Sequence, residues 1–113
     1  MRSTGKTLID LGLAPTKPYS GVISGIFSDS RSVKPGALFA ALPGVQSHGA
    51  DFIPQALQNG AKAVLTDPEG YKLASKLLED KDIGVVIAQE PRAALAAAAA
   101  LWFEKQPGSI VAI

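Results

Sequence analysis

Apolar positions fall along this chain in short compact runs, separated by stretches in which they recur every three or four residues. The run Ala37-Leu38-Phe39-Ala40-Ala41-Leu42 lies between Pro35-Gly36 and Pro43-Gly44, and its length and flanks predict a buried strand. Residues 61–66 and 83–88 have the same character. The all-apolar centre Val85-Val86-Ile87 implies cover on both faces, as in a parallel sheet. Residues 22–27 alternate less regularly and predict a further strand running into Ser28. Between these runs the period is helical. Ile53, Ala56 and Leu57 share a face that stops at Asn59-Gly60, with Asp51 as the expected N-cap and Pro54 in the first turn. Leu73, Ala74, Leu77 and Leu78 predict a second helix, following a turn at Asp67-Pro68-Glu69-Gly70. Leu95, Ala99, Trp102 and Phe103 form the stripe of a third, opened by Pro91 and closed by Pro107-Gly108. Its alanine run, 96–100, gives a thin side that lets the helix approach the sheet closely. A short helix through Leu8, Ile9 and Leu11, capped by Ser3 or Thr4, ends at Gly12. Residues 14–21 read as an irregular connector, and 109–113 enter a last strand. Strands alternating with helices in this way make an α/β domain.

Composition narrows the function classes. The 113 residues suit one domain with a modest core. With 47% apolar residues, 19% charged residues and a net charge of +1, the chain has no strong field to attract polyanions, so nucleic acid is not an expected partner. It has no cysteine and one histidine, which excludes a disulfide framework and the usual zinc centres. No apolar run approaches the roughly 18 residues of a membrane span, and the N-terminus has no signal-peptide core. A cytoplasmic protein without a membrane partner is the expectation.

The candidate chemistry lies at the ends of the predicted strands, where α/β scaffolds usually place binding sites. Pro35-Gly36 meets the requirement of a type II turn. The loop Gly44-Val45-Gln46-Ser47-His48-Gly49 differs: its two glycines allow close backbone approach, and Gln46 and Ser47 offer donors and acceptors. A helix beginning near Asp51 points unpaired N–H groups back at the loop, an arrangement suited to a phosphate or a nucleotide hydroxyl. By composition alone the same residues fit a plain surface loop equally well. In Ser28-Asp29-Ser30-Arg31, an Asp beside serines in a turn most often bonds its own backbone. An Arg in this position most often lies in solvent or pairs with a carboxylate; Arg31 otherwise meets a phosphate through its guanidinium fork or anchors the loop. Gly5-Lys6-Thr7 imitates the tail of a phosphate-binding loop but lacks the preceding strand and glycine. Tyr19 reads as a packing residue or as cover for a base.

A spaced set of residues carries a more specific signal. Ser28-Asp29-Ser30-Arg31, Val33, Pro35-Gly36, Leu38-Phe39-Ala40-Ala41, Gly44, Gly49, Phe52-Ile53, Ala56, Gly60-Ala61 and Ala63-Val64-Leu65 resemble the N-terminal domain of the Mur ligases. The likeness is greater to the MurE type, which adds the third residue of the peptidoglycan stem peptide, than to the MurF type, which adds D-Ala-D-Ala. It covers most of residues 23–113. The resemblance implies a small three-layer domain with a mixed or mostly parallel sheet of about four to five strands flanked by helices. It also implies that Ser28, Ser30, Val45, Gln46 and Ser47 grip the UDP part of UDP-N-acetylmuramoyl-dipeptide, with Arg31, His48 and Gly49 as secondary candidates. The family commonly has Asp-Gly where this chain has His48-Gly49, so the part played by the side chain at position 48 is left open.

In the resembled enzymes the strand matching 109–113 runs into a glycine-rich ATP loop. Residues 1–108 are therefore expected to form the substrate domain, and 109–113 the first strand of a central ATP-binding domain. ATP and magnesium belong to the parent ligase. The present stretch is expected to hold no cofactor, no metal and no catalytic residue, and its partners are the substrate and the missing central and C-terminal domains. The family's chemistry is phosphorylation of a substrate carboxylate by ATP, then attack of an amine on the acyl phosphate. Such catalysis rests on positioning and charge stabilisation, and this domain supplies positioning. The resemblance implies that selection of diaminopimelate or lysine lies in the C-terminal part. Two readings of another class compete. A stand-alone dinucleotide-binding or flavodoxin-like domain is disfavoured because no G-x-G-x-x-G follows a strand. The other is an interaction module built on the alanine-rich helix.

Overall fold

The computed structural model describes residues 7–16, 19, 21–44, 48–79 and 82–104, the side chains of 103 and 104 excepted. Its strands are β1 (Ile26–Phe27), β2 (Leu38–Ala41), β3 (Ala63–Thr66) and β4 (Gly84–Ile87). Its helices are α1 (Ile53–Gln58), α2 (Pro68–Glu79) and α3 (Pro91–Glu104). The strands form one sheet in the order β1-β2-β3-β4, every ladder parallel. β2 and β3 pair from Leu38↔Ala63 to Ala41↔Thr66, and β3 and β4 from Ala63↔Gly84 to Thr66↔Ile87.

Strand residues alternate between two cores, which is why the central runs contain so few polar side chains. Phe39, Ala41, Val64 and Val85 pack on one face with Ile53 and Ala56 of α1 and Ala74 and Leu78 of α2. Leu38, Ala40, Ala63, Leu65 and Val86 pack on the other with Leu8, Leu11 and Ala98 of α3. Three layers result, as the family resemblance implies. Phe39 is 1% exposed, and burying a side chain of that size contributes about 2–3 kcal/mol. Ala98 of α3 is fully buried, whereas Leu95, Ala99 and Trp102 are half-buried. The contact line thus runs through the alanine segment, because only a short side chain lets the helix lie close against β-strand residues of this size. Tyr19 packs against the second core.

Several local expectations are revised. The expected strand at 22–27 contracts to Ile26–Phe27, although the Ser24 N–H still reaches the Gly36 carbonyl at 3.0 Å and the Gly25 carbonyl accepts from Leu38 N–H at 2.8 Å. Thr7 and Asp10 brace the first helical turn: the Thr7 hydroxyl accepts from Asp10 N–H while the Asp10 carboxylate accepts from Thr7 N–H, both at 3.1 Å. Ser3 and Thr4 lie outside the described residues, as do Pro107-Gly108 and the strand expected at 109–113. Asp67-Pro68-Glu69-Gly70 is the opening of α2 and no separate turn. Asp67 accepts from Gly70 N–H at 2.7 Å, and Pro68 is the first helical residue. Leu73, placed on the apolar stripe by its spacing, is 60% exposed.

The Pro35-Gly36 turn forms as expected, with Gly36 at φ 87° and Ala37 N–H bonded to the Lys34 carbonyl at 3.1 Å. At the far side of the sheet, Pro15 bridges Val86 in antiparallel sense, and Thr16 N–H bonds the Val85 carbonyl at 2.7 Å. Pro15 and Thr16 therefore lie along the outer side of β4.

Candidate functional site

In a parallel sheet every strand ends on the same edge, and the loops leaving those ends converge there. At this edge, beyond β1 and β2, lies a cavity of about 620 Å³, within the range of roughly 300–1,000 Å³ common for small-molecule sites. The β1–β2 loop contributes Ser28, Asp29, Ser30 and Arg31, and β2 with its exit contributes Phe39, Leu42, Pro43 and Gly44. Gly49, Phe52, Gln55 and Arg92 complete the lining.

The first loop is held by its own side chains. Asp29 caps a 3-10 turn at Ser30–Ser32 by accepting from Arg31 N–H at 2.9 Å. Its two oxygens also take the Arg31 Nε–H and Nη2–H at 3.1 and 3.0 Å. The Arg31 side chain, and then its N–H, hold the Asp29 carboxyl below its ordinary value, and Asp29 pushes the guanidinium up. With side-chain exposures of 80% for Arg31 and 46% for Asp29, this pair shapes the loop and adds little stability. Ser30 is buried. Its hydroxyl donates to Gln55 Oε1 at 2.6 Å and its carbonyl accepts from Asn59 Nδ2 at 2.9 Å, so the loop is fastened to α1 and the turn after it. Ser28 is exposed, and its hydroxyl has no hydrogen-bond partner among the described residues.

The second loop is gripped at both ends. Gly49 N–H bonds the Leu42 carbonyl at 2.7 Å, and a Cβ there would lie 2.6 Å from Leu42 N and 2.8 Å from its oxygen. Only glycine fits this approach. His48, and not Asp51, caps the 3-10 turn Gly49–Phe52 that leads into α1: its Nδ1 accepts from Ala50 N–H at 2.9 Å. That bond puts the ring proton on Nε2, which donates to Asp67 Oδ1 at 2.8 Å. Burial alone pushes the Asp67 carboxyl up, but the Gly70 N–H and His48 outweigh it and hold the group below its ordinary value. His48 is thus turned away from the cavity and joins the cap of one helix to the cap of the next.

Of the residues anticipated from sequence, Ser28, Ser30, Arg31 and Gly49 come together in the cavity. His48 does not line it. Val45, Gln46 and Ser47 lie outside the described residues; Gly44 and Gly49, on either side of them, line the cavity. Phe52, Gln55 and Arg92 were missed. Arg92 has a general signal, since it opens a helix immediately after a parallel strand and helix N-termini gather at this edge. Gln55 has none in its local pattern. Among the described residues no three His, Asp or Glu side chains converge as metal ligands, and no helix is long and apolar enough to cross a membrane.

The sequence profile of the Mur ligase family, catalytic domain, matches residues 22–103. The chain belongs to the Mur ligase family. Among curated proteins this Mur ligase chain is 47% identical over 81 residues to a UDP-N-acetylmuramoyl-L-alanyl-D-glutamate–2,6-diaminopimelate ligase of Streptomyces coelicolor, covering 72% of the chain and 15% of that protein. It is 45% identical over 92 residues to the enzyme of that name from Caulobacter vibrioides, covering 81% of the chain and 18% of that protein. The chain is an N-terminal domain of the family, related to these MurE-type ligases, and spans under a fifth of the length of these two. Among solved structures a MurF from Acinetobacter baumannii superposes with a TM-score of 0.64 at 22% identity, over 86% of this chain and 21% of that one. At that identity the likeness establishes the fold alone.

Proposed function

We propose that this domain anchors the uridine diphosphate end of UDP-N-acetylmuramoyl-L-Ala-D-Glu for a ligase that joins meso-diaminopimelate, or L-lysine, to the stem peptide. The observation that carries the reading is the meeting of the Ser28–Arg31 loop and the two ends of the Gly44–Gly49 loop around one cavity. Ser28 offers a free hydroxyl there. Ser30 keeps acceptor capacity beyond the hydrogen bond it donates to Gln55, and Val45, Gln46 and Ser47 belong to the segment between the two fixed ends. The names of the diaminopimelate-adding relatives favour this substrate over that of the D-Ala-D-Ala-adding type.

In this reading residues 1–108 are the substrate domain and 109–113 begin the next. ATP and magnesium act in the parent enzyme, whose other domains carry the ligation. Nucleotide-linked precursor and ATP together point to a cytoplasmic setting. Holding a substrate by its far end spends binding energy on orientation, which is where such remote contacts accelerate a reaction. Titration of the isotope-labelled chain with UDP checks the proposal. Amide signals of Ser28, Ser30, Gln46 and Ser47 shift, while those at the opposite edge of the sheet stay in place. A folded chain that shows no shift at millimolar UDP refutes it.

A further inference from the structure

We infer that Arg92 is the principal charged contact for the diphosphate of the bound nucleotide, an assignment that rests on the proposed function above and adds a residue to it. Arg92 is the second residue of α3, which places it at the strand-end edge although it is 61 residues beyond Arg31 in sequence. Both side chains line the same cavity. Their electrical states differ. Arg31 is clasped on two nitrogens by the Asp29 carboxylate, so its charge is locally cancelled. Arg92 is exposed and has no carboxylate partner among the described residues. Glu90, the nearest acid along the chain, does not line the cavity. The surplus positive charge of the cavity is therefore that of Arg92.

Its guanidinium is also held in place. Nη2 donates to the Pro43 carbonyl at 2.7 Å, at the point where the chain leaves β2 for the Gly44–Gly49 loop. One N–H is spent on that bond, and the rest of the fork has no partner among the described residues. A planar donor group fixed at one corner loses less freedom when it takes a phosphate oxygen, and a guanidinium matches such oxygens two at a time. The same bond ties ligand contact to the Pro43-Gly44 exit of β2, which lines the cavity. A neutral sugar or base would gain little from this arrangement. Two linked phosphates would gain charge neutralisation and directed hydrogen bonds together.

The test compares UDP, uridine and inorganic pyrophosphate as ligands of the 113-residue chain, followed by amide shifts of Ser28, Gly44 and Gly49. Because the Arg92 side chain is exposed, its replacement leaves the fold intact, and amide signals remote from the cavity verify that. Arg92→Ala and Arg92→Gln are expected to weaken UDP about tenfold, the effect of losing a hydrogen bond to a charged group. Uridine binding is unchanged, pyrophosphate shifts vanish, and Arg92→Lys recovers part of the UDP affinity. The glutamine variant retains a donor for the Pro43 carbonyl and so separates charge from loop shape. UDP affinity equal to the parent in Arg92→Gln overturns the inference. So does an equal loss for uridine and UDP, which would make Arg92 a brace for the loop. Failure of the functional reading looks different: Arg92-dependent pyrophosphate binding with UDP bound no more tightly would keep the charge contact and remove the nucleotide. A parent chain that binds neither ligand sinks both.

Discussion

Replacing His48 with alanine removes two connections at once. The Nδ1 acceptor of Ala50 N–H disappears, and losing an N-cap of this kind costs about 1 kcal/mol. The Nε2–H bond to Asp67 goes too, and a hydrogen bond to an ionised, partly buried carboxylate contributes about 1.5–3 kcal/mol. Asp67 keeps the Gly70 N–H as donor, which limits the second loss to the lower end of that range. The two together come to about 2.5 kcal/mol, and for a chain of this length that lowers the melting temperature by about 10 °C. Thermal unfolding by circular dichroism reads this directly. Since His48 does not line the cavity, UDP affinity measured well below the transition stays at the parental value. His48→Asp is the informative companion. It keeps a capping acceptor but sets a second carboxylate against Asp67, so it is destabilised at neutral pH and regains stability as one of the two protonates. A His48→Ala chain that melts within about 2 °C of the parent would show that the two caps are not coupled as described.

Ser30→Ala leaves Gln55 Oε1 without its donor inside a part-buried contact and is expected to cost about 1–2 kcal/mol in denaturant unfolding; it also weakens UDP binding by loosening the loop. Gly49→Ala forces a Cβ to within 2.6 Å of the Leu42 nitrogen. The resulting displacement costs about 1–3 kcal/mol and appears as a lowered urea midpoint with shifted Gly44 and Leu42 amides. Asp67 has a depressed folded-state pKa, so its stabilisation is present above the unfolded value of 3.8 and is lost as the pH falls through the folded one. Asp67→Asn should therefore flatten the decline of stability below that pH in acid titrations followed by fluorescence of Trp102.

Much of the fold was written in the hydrophobic pattern. Apolar runs bounded by Gly and Pro located β2, β3 and β4, because a strand buried on both faces has few polar positions to confuse the period. The ends were harder to read. His48-Gly49-Ala50-Asp51 offers an aspartate where capping preference looks for one, yet the imidazole two residues earlier than Ala50 reaches its N–H first. Asp67-Pro68-Glu69-Gly70 suits a turn and a helix start equally, since both use an Asx acceptor followed by proline. Its position over the end of β3 decides between them. At the cavity, the serine loop and the glycine loop were visible as a motif spaced along one stretch. Gln55 and Arg92 were not, because they reach the cavity from α1 and from beyond β4, and nothing in their immediate neighbours records that meeting.

The crossing of Pro15 and Thr16 over Val86 and Val85 means that β4 does not present a bare margin to other molecules. Proline has no N–H to extend the pairing outward, so the strip both satisfies the strand and blocks further addition. A chain shortened to begin after Thr16 would uncover Gly84–Ile87 with its outer carbonyls seeking partners, together with the core face that Leu8, Leu11 and Leu13 cover. Such a chain is expected to self-associate in sedimentation experiments more than the whole one, through the edge of the sheet opposite β1.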